Sequence, residues 1–549
     1  MGQPPDARIT PEIGRQICTR NGVKAMLTGS IASVGSQYLI TLNAVNAATG
    51  DNLAQEQALA SKKEEVLNSL GAAVSNLRGK LGESLASVKK FDKPLNEATT
   101  SSLEALKAYS EGTALREKGD ELGAIALLKH AIELDPNFAS AHAYLGSAYS
   151  NLGQTEMYEK YLKQAFDLKD RASERERLYI AGHFYDSIGD IDQSLQTWQL
   201  YRQTYPNDEI PTSNLAVLYG RLGDFENDLR MSLEGIRLAP DSSYGYLNAA
   251  WSYDALGRFE EGKAIANDGL RRIGSAPALH SVLALTAIML GDTTAEQKEM
   301  AQAKDNPSEL VRFLLPPKAF RAAGHGQLQK AQELLQQSED LARAAGSTEL
   351  TANATCGKAW VAALIGDKSR QKLDPSAALS VSKASDVKAC VAYVLALTGR
   401  DAEAGRLADE LSRERPRDTW FQAMWVPALR AQIEFNRGNP AKAIDLLKSA
   451  QAYDKANAEV LTLRGKAYLL NHQPKEAEGE FQSAMKLQNE GFQNPSAWLA
   501  QLYLARAYAM EGDAAKARTM YQDFFVTWKD ADPGLPLLAA ARAEYAKLQ

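Results

Sequence analysis

The chain has 549 residues, 45% hydrophobic and 24% charged, with a formal net charge of −6. Such a length exceeds the roughly 250–300 residues at which one hydrophobic core stops growing. The acidic balance gives a nucleic-acid partner no support, and no run approaches the roughly 18 apolar residues that span a bilayer. The most apolar stretch, 279–290, carries His280, Ser281 and Thr286 and fits a buried helix. Cys18, Cys356 and Cys390 are an odd count without a framework and read as free thiols.

Residues 1–10 read as a flexible leader, without the basic and apolar pattern of a secretory signal. Thr10-Pro11-Glu12 supplies an N-cap and a proline at the first helical position, which predicts a helix to about residue 21. Residues 23–33 and 37–46 are predicted strands around a Gly35-Ser36 turn. In the second, Tyr38, Ile40, Leu42 and Ala44 alternate with Leu39, Thr41 and Asn43. A third strand is expected at 53–59 after Thr49-Gly50-Asp51. An amphipathic helix at 62–85 carries Val66, Leu67, Leu70, Val74, Leu77 and Leu81. Residues 11–90 therefore form an expected small α/β domain, and polar residues 91–102 a linker.

From about residue 103 the pattern is helical throughout. Gly189, Gly223, Gly257 and Gly291 lie 34 residues apart by subtraction, each followed by a charged residue. Hydrophobes at helical spacing precede the glycine, as in Leu215, Leu218, Tyr219 and Leu222. Others follow it, as in Leu229, Leu233 and Ile236, up to Pro240. Each unit reads as a first helix, a glycine turn, a second helix and a proline-led link. Small residues such as Gly112, Ala124 and Ala131 let paired backbones approach. The array is expected to be regular over 103–310 and irregular over 311–384, where Leu315-Pro316-Pro317 should break it. It resumes over 385–549 around Gly399, Gly438, His472 in the glycine's place, and Gly512.

This period, with its matched positions, resembles the tetratricopeptide repeat (TPR) family. The resemblance implies a mainly α fold, a TPR-type α-solenoid superhelix preceded by the small α/β domain, and a protein or peptide partner. The N-terminal piece resembles the N-terminal domain of TolB-like proteins. Leu27-Thr28-Gly29-Ser30-Ile31, Tyr38-Leu39-Ile40-Thr41-Leu42 and Ala47-Ala48-Thr49-Gly50-Asp51 carry that likeness. It implies that the domain is incomplete here. It also implies a setting found in bacterial membrane-anchored serine/threonine kinase-type proteins or winged-helix regulators.

No kinase motif set is present, and Gly79-Lys80, Gly262-Lys263, Gly357-Lys358 and Gly465-Lys466 lack the Ser or Thr of a phosphate-binding loop. The six histidines form no ligand pair. No catalytic residue, metal or cofactor is therefore expected. In the TPR family the first helix of each repeat lines the concave face. Alignment on the turn glycines places Glu176, Tyr179, His183 and Asp186 there in one repeat, and Tyr244, Leu247, Trp251 and Asp254 in another. Aromatic rings interleaved with acids suit an extended or helical peptide, although the same rings can simply pack between helices. The expected function is a non-enzymatic scaffold that binds a protein or peptide, with no nucleic acid and no membrane contact by this chain. The alternative is the sensory or regulatory C-terminal region of a serine/threonine kinase whose catalytic domain lies elsewhere. As written the chain is expected to be soluble and cytoplasmic, or extracytoplasmic under that alternative.

Overall fold

The computed structural model describes residues 10–20, 23–83, 100–117, 119–274, 276–303, 309–365, 373–489 and 494–548. The expected leader, apart from Thr10, and most of the expected linker lie outside these residues. Contacts divide the chain into two units. One comprises Met1–Ala114, Leu122–Leu145 and Tyr161–Ile180, the other Leu115–Glu121, Gly146–Lys160 and Ala181–Gln549.

In the first unit, helix α1 (Pro11–Arg20) precedes three antiparallel strands, β1 (Ala25–Val34), β2 (Gln37–Asn46) and β3 (Asn52–Ala60), in the order β1-β2-β3. The alternation in β2 does the sorting. Ile40 stands opposite Ile31 and Ala58, and Ile40, Ala60 and Val66 form a buried cluster beneath helix α2 (Val66–Lys80). Gly35 closes the first hairpin at φ 62°, and Asn46 Oδ1 accepts from the Ala48 and Thr49 N–H groups at the second turn. The same unit contains the start of the helical array. A Cβ on Gly112 would sit 3.1 Å from Leu128, the close approach read from the small residues.

The second unit is a run of helix pairs. Glu209–Arg221 and Phe225–Leu238 make one pair, and Ser243–Ala255 and Phe259–Ile273 the next. The glycine–charge motif has a two-part cause. Gly189, Gly223, Gly257 and Gly291 turn the chain at φ 71–73°, where a side chain would be strained. Where aspartate follows a turn glycine and caps the next helix, its carboxylate takes an N–H of the first turn. Asp190 accepts from Gln193 at 3.3 Å, Asp224 from Asn227 at 3.3 Å and Asp513 from Lys516 at 3.0 Å. His472 makes the turn at φ 57°, the one non-glycine at positive φ among the described residues.

Two expectations are corrected here. Leu315-Pro316-Pro317 does not break the array. A π-helical turn, Leu310–Leu314, runs directly into helix Leu315–Gly324, with both prolines in its first turn. A wider turn suits residues that offer no N–H to the preceding carbonyls, and Trp420–Trp425 does the same ahead of Pro427. Cys356 and Cys390 are not free thiols but a disulfide, with Cα atoms 6.4 Å apart and a sequence separation of 34. They lie on Thr348–Ile365 and Ser385–Leu397, first helices that pack side by side. Cys18 is the remaining thiol.

Candidate binding surface

The expected groove residues are placed as follows. Tyr179, in the first unit, is buried and stacked on Tyr144 with ring centres 4.7 Å apart. In the second unit, the Tyr158 hydroxyl lies 3.0 Å from both the His183 carbonyl and the Asp186 carboxylate. His183 sits edge-on to Trp198 at 5.0 Å, and burial pulls its pKa down to about 4. Asp186 also forms an ion pair with Arg221. The Tyr244 hydroxyl reaches the Arg116 carbonyl at 3.4 Å and Glu121 at 3.3 Å, while Trp251 packs against Phe313. Asp254 corrects the expectation outright. It is fully buried and accepts from the Thr286 hydroxyl at 2.6 Å, and burial pushes its pKa up to about 7. A carboxyl enclosed between a helix and its successor is a core group.

The turns of these early repeats are in addition engaged by segments far along the chain. The Glu349 carboxylate accepts from the Thr155 and Glu156 N–H groups at 2.7 and 3.0 Å, capping that helix from 194 residues away. Thr419 N–H donates to the Gly189 carbonyl at 2.8 Å. Arg415 reaches the Ser187 carbonyl at 3.0 Å, pairs with Asp418 at 2.8 Å, and also binds Glu159. A Cβ on Gly223 would come within 2.9 Å of Lys455. Farther on, Asp532 N–H donates to the Gly326 carbonyl at 3.0 Å and Trp528 Nε1 to the Gly324 carbonyl at 2.9 Å. The glycine turns of earlier repeats thus dock on the links between later ones. These turns stay narrow because glycine leaves room for the incoming chain.

The later repeats hold an open cavity of about 420 Å³. Its walls come from the leading helices of successive repeats, Thr348–Ile365, Ser385–Leu397, Val426–Asn436, Ala458–Leu470 and Pro495–Glu511, and from Pro536–Ala546. Leu364, Leu397, Leu499 and Leu537 supply hydrocarbon; Gln432, Glu459, Lys466 and Tyr503 supply polar groups. The buried Glu459 carboxyl accepts from Trp360 Nε1 at 2.9 Å. Burial pushes its pKa up to about 7, against the hydrogen bonds from Trp360 and Tyr393. The arrangement offers an open cavity in which apolar side chains alternate with polar groups, the form of a binding pocket.

Residues 112–153 match the TPR repeat family and residues 139–171 the tetratricopeptide repeat family. Residues 112–171 carry tetratricopeptide repeats, and the helix pairs beyond them continue the same arrangement. Among solved structures, the TPR chain is similar to PilW, titled a widely conserved type IV pilus biogenesis factor, at 16% identity and a TM-score of 0.27. That match covers 37% of this chain and 94% of PilW. PilF of Pseudomonas aeruginosa matches at 16% identity over 37% of this chain and 91% of its own, with a TM-score of 0.25. MamA matches at 22% identity over 29% and 93%, with a TM-score of 0.20. Likenesses this slight carry no argument. The TPR assignment itself supports a protein–protein interaction scaffold, and no described helix is long and apolar enough to cross a membrane.

Sequence reasoning missed the cavity because it aligned the early repeats, where the period is strict. The same alignment on Gly399, Gly438 and His472 leads to Tyr393, Gln432 and Lys466, which stand where His183 and Trp251 stand before Gly189 and Gly257. The signal was present in the less regular half.

Proposed function

We propose that this TPR protein is a non-enzymatic scaffold that takes a peptide segment of a partner protein into the cavity of its later repeats, on their concave face. The observation that carries the reading is the wall itself. Leading helices of successive repeats converge on one space of about 420 Å³ that combines aliphatic side chains with polar groups. The test is selection of binding peptides from a displayed library on the full chain, followed by affinity measurement on variants. Leu537→Trp, which fills the cavity from a half-buried position, is expected to abolish binding without shifting the melting temperature by more than a few degrees. Trp251→Ala is expected to leave affinity unchanged in whatever protein stays folded. Peptides that bind Leu537→Trp as well as the parent would refute the reading.

A second reading concerns location, favoured by the Cys356–Cys390 disulfide. Disulfides persist in oxidising compartments and are rare in the cytosol, which favours the extracytoplasmic sensory region of a membrane-anchored kinase-type protein. Rapid alkylation of native cells followed by peptide mass spectrometry should find both thiols protected. Two alkylated cysteines would remove this support.

A further inference from the structure

Lys466 stands apart from the other enclosed lysines. Lys388 is held by Glu410 and Glu414, Lys358 by Glu339, and Lys318 by Glu296. Lys466 Nζ instead lies 5.2 Å from the Phe435 ring centre and 5.5 Å from that of Tyr503, in the cavity wall. Among the described residues no hydrogen bond or ion pair holds its Nζ; the nearby Glu459 carboxyl acts on it only through space. Ring faces orient an ammonium but do not neutralise it, so the cation remains available to a ligand.

A second feature points the same way. Gln432, also in the wall and only 3% exposed, donates from Nε2 to Asn436 Oδ1 at 2.8 Å, while its Oε1 accepts no hydrogen bond. A buried amide oxygen without a donor is costly and marks a place where one is missing. Glu459 offsets the Lys466 charge only in part near neutrality, because burial raises its pKa to about 7 and its carboxyl already accepts from Trp360.

We propose that the segment received by this cavity is acidic and aliphatic: an Asp or Glu side chain pairs with Lys466, an adjacent main-chain N–H faces Gln432, and aliphatic neighbours fill the space among Leu364, Leu397, Leu499 and Leu537. This rests on the cavity being the binding surface. A basic segment meets the Lys466 charge without a countercharge and is rejected.

The probes are dye-labelled acetyl-Leu-Glu-Leu-amide and its Gln and Lys counterparts, titrated into the full chain by fluorescence polarisation. Blocked ends remove any terminal carboxylate. The Glu peptide is expected to bind about tenfold more tightly than the Gln peptide, the scale of one charge-assisted contact, and the Lys peptide least of all. Lys466→Met should erase the Glu-over-Gln preference without changing the melting temperature, and Gln432→Leu should weaken both peptides alike. Equal affinity for all three, tighter binding of the Lys peptide, or a preference that survives in Lys466→Met overturns the inference. So does absence of binding by any of them. If these peptides fail while Leu537→Trp still abolishes binding of library-selected peptides, the acidic specificity is wrong and the scaffold reading stands. If Leu537→Trp has no effect on selected peptides, the scaffold reading itself falls.

Discussion

The repeats around Gly153, Gly189, Gly223 and Gly257 and those from Thr348 onward share one pattern, yet the polar residues of their leading helices meet different fates. In the earlier set, Asp186 is held by Tyr158 and Arg221, and Asp254 by Thr286. In the later set, Lys466 and Gln432 face a cavity with bonding capacity left over. The difference teaches that repeat position does not decide whether a residue binds a guest. What decides it is whether an adjacent repeat already supplies the partner.

Breaking the docking contact should produce the largest effect. Arg415→Ala strips the partner from Asp418, which is 3% exposed, and from Glu159. A loss of about 3–5 kcal/mol is expected in urea denaturation, whereas Lys466→Met should change stability by less than about 0.5 kcal/mol. Similar values for both would erase the distinction between the two sets. Next comes the disulfide, which closes a loop over a separation of 34 residues. Replacing both cysteines with serine should cost about 3–4 kcal/mol by loop-closure entropy, and a reducing agent should lower the melting temperature of the parent but not of the double variant.

Acidity sharpens the comparison further. The Asp254 pKa rises to about 7 in the fold, so its contribution is fully present below about pH 4 and is lost as pH rises through 7. His183, lowered to about 4, acts with the opposite sign, adding stability above pH 6.5 that is lost on acidification. Asp254→Asn cannot ionise. Relative to the parent it should gain on the order of 2–4 kcal/mol between pH 4 and pH 8, measured by denaturant titration at both. A constant difference across that range would mean Asp254 is not enclosed. The smallest effect belongs to His472, held at φ 57°. His472→Gly relieves the left-handed strain and gives back part of it as chain entropy, for a net gain of about 0.5–1 kcal/mol.

Most of the fold was legible in the sequence because its causes are local. Glycine at positive φ and an aspartate cap sit side by side at Gly189-Asp190 and Gly223-Asp224, and the alternation of Tyr38 to Ala44 orders the small sheet. Less was legible at the site. Glu349 capping Thr155, or Thr419 docking on Gly189, joins residues about 200 positions apart, and no periodicity announces such a meeting. The Cys356–Cys390 pair was not legible either, since the helices that carry it start 37 residues apart by subtraction, off the strict period of the early repeats.

Hydrogen–deuterium exchange of the full chain with and without a library-selected peptide tests the central claim most directly. The account predicts new protection in Ser385–Leu397, Ala458–Leu470 and Pro495–Glu511, with no change in Glu174–Ser187 or Ser243–Ala255. Protection confined to those two earlier helices would contradict it.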